Sequence, residues 1–152
     1  MARVKIRAFK AKDLKAILRI AKSLGYFSLK DLKNMRQDAL KNNCLVAALD
    51  SKPVGFIVFS ALKPKGKILW LAVNRKAQGF GLGSKLLKRA EGRIKARKAS
   101  KVMLHTFGFS GNYLPFLKVR DFYYRHGFQR LREIPNGFMQ GVDKLVMVKE
   151  FG

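Results

Sequence analysis

A single cysteine, Cys44, excludes any internal disulfide. It lies in the apolar run 44–49, where a small buried residue is favoured over a nucleophile. No stretch approaches the roughly 20 apolar residues that span a bilayer, so no membrane partner is expected. The opening Met1-Ala2-Arg3-Val4-Lys5 lacks the apolar run of a secretory signal, which points to a soluble, cytoplasmic protein. Two histidines and one cysteine offer no metal-ligand cluster, so no metal is indicated. Acid is scarce beside base. Nine Asp and Glu stand against 33 Lys and Arg, a formal net charge of +24. Such a surface attracts polyanions, so nucleic acid, ribonucleoprotein or an acidic protein surface is an expected neighbour. A merely solvated Lys-rich face is the competing reading.

What is present reads as one domain over residues 1–152. The length suits a single core, and an apolar fraction of 48% is globular rather than disordered. There is no repeat, low-complexity tract or linker. Residues 4–8 alternate with period two and predict a first strand. Leu14, Ile17, Leu18, Ala21 and Leu24 recur at helical spacing, with Gly25 at the end. Ser28-Leu29-Lys30-Asp31 reads as a capping box opening a second helix, with Leu32, Met35, Ala39 and Leu40 inward. Segments 44–49 and 54–62 form a hairpin pattern, and 67–73 is a further strand. A helix follows from Gly81 to about Lys98, its apolar face built from Leu82, Leu86, Leu87, Ala90 and Ile94. Lys85, Lys88, Arg89, Arg93, Lys95, Arg97 and Lys98 line the rest of that helix and are its candidate polyanion contacts. Strand 101–107, a short helix ending near His126, a strand from Phe128, a loop over 134–142 and a last strand 144–151 complete the chain. The order is βααβββαβαββ, an α/β layout with helices covering a partly parallel sheet.

The turn Gln78-Gly79-Phe80-Gly81-Leu82-Gly83 stands between strand 67–73 and the helix after it. The first N–H groups of a helix lack partners within it and lie at the positive end of its dipole. Glycine lets that backbone touch a phosphate and adopt positive φ. The geometry is that of a pyrophosphate cradle. It is not a P-loop, because Ser84-Lys85 follows Gly83 and no glycine stands at the required offset. Nor is it a dinucleotide fingerprint: the third glycine comes one residue early, and 99–104 contains no acid.

The longer string 71–83 resembles motif A of the GNAT superfamily of N-acetyltransferases, with Gln78, Gly81 and Gly83 in register and Arg75 in place of a common proline. Phe122-Tyr123-Tyr124-Arg125-His126-Gly127-Phe128 is similar to the Phe-Tyr-x-x-x-Gly-Phe segment of the same family. The resemblance covers essentially the whole chain. It implies a mixed, mostly antiparallel sheet of about seven strands with flanking helices, splayed between strands 4 and 5. It also implies acetyl-CoA as co-substrate and direct attack of an amine on the thioester. The pyrophosphate would then sit on N–H groups from Gln78 through Gly79, Phe80, Gly81, Leu82 and Gly83 to Ser84. The pantetheine arm would pair with Leu71, Ala72 and Val73, and a backbone N–H near Val73 would stabilise the oxyanion. Tyr123 matches the family tyrosine that can protonate the leaving thiolate; a packing aromatic is the competing reading.

Many relatives place a glutamate in the fourth strand as base, and this strand has none. His105 is the first alternative, acting through water, against a plain strand histidine. Asp121 is weaker still. A family asparagine falls at Phe116 here, and Asn112 is too far upstream to replace it. The charge of +24 favours acceptor amines on RNA-associated or acidic partners over free cationic tails. A catalytically inactive scaffold that binds nucleic acid through its basic surface is the alternative reading.

Overall fold

A computed structural model describes residues 3–107, 114–139 and 142–152. The elements are β1 (Val4–Ala8), α1 (Leu14–Ser23), α2 (Leu29–Lys41), β2 (Asn43–Leu49), β3 (Lys52–Ser60), β4 (Lys65–Val73), α3 (Leu82–Ala96), β5 (Lys101–Phe107), α4 (Leu114–Arg125), β6 (Gln129–Met139) and β7 (Val142–Glu150). They build one seven-stranded sheet in the order β1-β2-β3-β4-β5-β7-β6. All pairings are antiparallel except β4–β5.

Both faces of the central strands are buried, which is why 44–49 and 54–62 read as continuous apolar runs rather than alternating ones. Leu45, Ala47, Ile57 and Phe59 pack with α3 and α4 on one face. Cys44, Val46, Phe56 and Val58 pack with α1 and α2 on the other. The five apolar residues expected to face inward from α3 are all buried. Burial pushes the Cys44 thiol up to about 12, so it is a core residue and not a nucleophile.

Local signals explain most boundaries. Ser28 Oγ accepts the Asp31 N–H at 3.0 Å while Asp31 accepts the Ser28 N–H at 2.9 Å, closing the expected capping box at α2. Leu40 is a correction: it is 54% exposed, because Met35 and Ala39 define the buried line and Leu40 lies a further 100° around the helix. The expected loop over 134–142 is a second. β6 runs on to Met139, with an irregular register between Ile134 and Met139. Pro135-Asn136-Gly137 is tolerated because β6 is an edge strand, where an absent N–H costs little. Asn136 takes φ 53° there, and its N–H donates to Asp143 Oδ1 at 3.0 Å.

The start of α1 is fixed electrostatically. Asp13, 4% exposed, accepts from Arg7 Nη1 and Nη2 at 2.8 and 2.9 Å and from the Lys10 N–H at 2.8 Å. The Arg7 bonds hold its carboxyl below the usual range despite burial. Its contribution to stability is therefore present above the unfolded value of about 4 and is lost as pH falls below it. Asp13→Asn should cost about 2 kcal/mol at neutral pH, measured by urea unfolding. The gap from wild type should shrink below about pH 4.

Candidate active site

β4 and β5 pair only from Lys65↔Lys101 to Ile68↔Leu104. Beyond that row they separate, while β4 stays paired with β3 as far as Val73↔Gly55. One edge of β4 is thus open from Leu69 onward. The Asn74 N–H donates to Val54 O at 2.7 Å, toward β3. By strand alternation the neighbouring Val73 turns its N–H and C=O to the open edge. The carbonyl accepts from Gln78 Nε2 at 2.8 Å, so the Gln78 side chain braces the strand end.

The glycine turn follows directly. Gly79 and Gly81 have φ values of 88° and 79°, and a Cβ on either would meet nothing within 4 Å. These glycines serve backbone conformation, not space. Gly81 is the left-handed N-cap of α3. The helical ladder begins with the Lys85 N–H, bonded to Gly81 O at 3.0 Å. The N–H groups of Leu82, Gly83 and Ser84 are therefore the open first turn. The Gln78 N–H is a correction to the expected cradle, since it bonds to Arg75 O at 3.2 Å. Gly83 serves packing: a Cβ there would lie 3.3 Å from the Phe122 ring. Gly81→Val should impose roughly 1–2 kcal/mol of backbone strain and weaken acetyl-CoA binding about tenfold, read by calorimetry.

Around the splay lies a cleft of about 870 Å³. It gathers Leu71, Ala72, Val73, Gln78, Gly79, Gly81, Leu82, Gly83, Ser84 and Tyr123 of the expected site residues. Phe80 does not line it; the residue is 74% exposed. His105 and Asp121 do not line it either. Phe122, the first residue of the 122–128 motif, forms part of the wall. Phe116 packs edge-on to Tyr26 at 6.1 Å, and Asn112 lies outside the described residues.

Tyr123 is 7% exposed, between Phe122 and Phe128, with ring centroids at 5.3 and 5.6 Å. Burial raises its pKa, with Tyr26 adding to the effect, so it is a protonated phenol at neutral pH. His105 stands on β5 one residue past the last β4–β5 pair. Its flanking residues Leu104 and Thr106 are buried, so it faces the opposite side of the sheet from α3 and α4. Desolvation lowers its pKa, and Lys144, Lys67, Arg132 and Lys65 lower it further. It is a neutral imidazole at pH 7.

Several cleft residues escaped the sequence reading. Arg75, noted only as a departure from proline, donates to Leu24 O at 2.8 Å and ties the end of α1 to the glycine turn. Lys118, Arg125 and Tyr26 also line the cleft. His126 Nδ1 lies 2.6 Å from Phe122 O and so donates to it, and Nε2 lies within hydrogen-bond distance of Ser84 Oγ at 2.7 Å. His126 lay inside the quoted 122–128 segment, but its partner Ser84 is 42 positions away.

An open strand edge beside an unpaired helix start, both opening on one cleft, defines an acyl-CoA-binding transferase fold. The family model for the acetyltransferase (GNAT) domain matches residues 41–130. The chain belongs to the GNAT family of acetyltransferases, is an acetyl-CoA-dependent N-acetyltransferase, and uses acetyl-CoA as co-substrate. An uncharacterized N-acetyltransferase of Methanocaldococcus jannaschii is 28% identical over 95% of this chain and 90% of its own. The structure of a GNAT-family acetyltransferase from Desulfovibrio desulfuricans superposes with TM-score 0.87 at 20% identity, covering 97% of this chain and 99% of that one. The PaiA N-acetyltransferase of Thermoplasma acidophilum, solved with coenzyme A, gives 0.73 at 20% identity, covering 98% and 99%. No described helix is long and apolar enough to cross a membrane.

Proposed function

We propose that the chain transfers the acetyl group directly to an acceptor amine, a protein lysine or N-terminus or an amine on a nucleic-acid-associated partner. One observation carries the reading: the open edge of β4, the glycine turn and the buried Tyr123 share one cleft. The pyrophosphate is held by the N–H groups of Leu82, Gly83 and Ser84, at the positive end of α3. The pantetheine arm lies along Leu71–Val73 as an added strand. The Val73 N–H then faces the carbonyl oxygen where negative charge develops.

The amine nitrogen forms a bond to the acetyl carbon, and the carbon–sulfur bond breaks. His105 takes the amine's surplus proton through water. The thiolate accepts a hydrogen bond from the Tyr123 hydroxyl. That phenol is too weak an acid to give its proton outright to a thiolate with an ordinary pKa of about 8.5. Tyr123 therefore stabilises the leaving group as a donor, and the thiolate is finally protonated from solvent. The cytoplasm, as a source of acetyl-CoA, suits this chemistry.

The exposed side of α3 is where we place contact with a polyanionic partner. Lys85, Lys88, Arg89 and Arg93 surround a shallow groove beside Ile6. No specific observation favours an inactive nucleic-acid module. Calorimetry with acetyl-CoA, followed by labelled transfer to a panel of amines, tests the reading. Saturable binding and transfer are expected; no heat at millimolar acetyl-CoA overturns it.

A further inference from the structure

We propose that the sheet face around His105 is the acceptor-docking surface, and that it fits a peptide carrying carboxylates beside its reactive amine. The inference rests on the acetyltransferase reading and adds a substrate class to it. α1 and α2 cover this face only over β2, β3 and β4, where their apolar residues meet Cys44, Val46, Phe56, Val58 and Ala72. Their described core does not extend over β5, β7 and β6. The register fills that stretch with cations. Lys67 stands beside Met103, two residues from His105. Val146 is beside His105, and Arg132 is beside Val146. Lys144 precedes Val146 by two residues on the same face. Lys144, Lys67 and Arg132 also act electrostatically on His105, which places their charge at that ring.

Acids near this face are engaged elsewhere. Glu150 is opposite Lys101, at the end of β5 away from the splay. Asp38 accepts the Trp70 indole N–H at 2.7 Å. Glu133 lies 3.7 Å from Arg130. The charges that act on His105 are those of Lys144, Lys67, Arg132 and Lys65, so the surroundings of the proposed base are cationic. Single-stranded nucleic acid is the weaker fit: the exposed residues Lys67, His105 and Arg132 offer one small imidazole ring and no Phe, Tyr or Trp on which successive bases would stack.

The test uses the full chain, acetyl-CoA and three peptides that share one N-terminal amine and carry Asp, Gln or Lys at the next two positions. A second set has a blocked N-terminus and one lysine acceptor. At low salt kcat/KM should rank Asp over Gln by about tenfold and Gln over Lys by a similar factor, and the spread should narrow at high salt. Lys67 is exposed and outside the catalytic groups. Lys67→Glu should reduce the Asp-over-Gln advantage about fivefold, read as the ratio of the two kcat/KM values within the same variant so that any change at His105 cancels, with acetyl-CoA affinity unchanged. Arg132→Glu should act in the same direction. Equal rates on Asp and Gln peptides overturn the proposal while leaving the transfer reading intact. So does displacement of the Asp peptide by single-stranded RNA with a steep salt slope. Acetyl-CoA binding with no turnover of any amine overturns the transfer reading instead.

Discussion

Replacing Tyr123 with phenylalanine is expected to lower kcat about a hundredfold while acetyl-CoA affinity stays within about twofold. The hydroxyl is the only group lost, and the ring keeps its contacts with Phe122 and Phe128. Stability should fall little, which thermal unfolding checks. The phenol is buried and its pKa raised, so it remains a donor across the working range. Its effect is therefore set by leaving-group charge. A thioester with a more acidic thiol develops less charge that needs a donor, so the penalty should shrink with it. A packing role alone predicts the same penalty for every thioester. Single-turnover rates on acetyl-CoA and on an acetyl thioester of a more acidic thiol distinguish the two.

The difference between Tyr123 and His105 also shows what sequence can reveal. Strand β4, the glycine turn and α3 are contiguous, so 67–98 carries its own geometry: apolar run, two positive-φ glycines, amphipathic helix. Tyr123 was legible only through a second motif, because folding alone brings it beside Gly83's neighbours. The splay was legible only through the resemblance; nothing in the residues of β4 or β5 says where their pairing stops. Arg75 shows the opposite failure. In the sequence it is only a mild departure from a common proline, yet its guanidinium reaches back 51 positions to Leu24 O. The Ser84–His126 pair was hidden by the same long separation. The continuation of β6 through Pro135 was missed because breaker residues predict turns locally, whereas an edge strand tolerates them.

The largest pH effect should come from His105. With His105 as the base, transfer requires both the acceptor amine and the imidazole to be unprotonated. Plotted logarithmically, kcat/KM should rise with slope two at low pH, then slope one, then level off. The lower bend belongs to His105. Burial and the surrounding cations depress its pKa, so that bend falls below the ordinary value of about 6.5. The upper bend belongs to the acceptor, near 8 for an N-terminal amine and above 10 for a lysine. Changing the acceptor should move only the upper bend. His105→Gln should lower kcat/KM at neutral pH about a hundredfold and remove the slope-two segment, leaving the acceptor's bend in place. Lys67→Gln removes one cation from the ring's surroundings, so the lower bend should shift upward, toward the ordinary value. A lower bend that survives His105→Gln assigns the base elsewhere. A lower bend that moves with the acceptor instead of with Lys67 assigns both ionisations to the substrate.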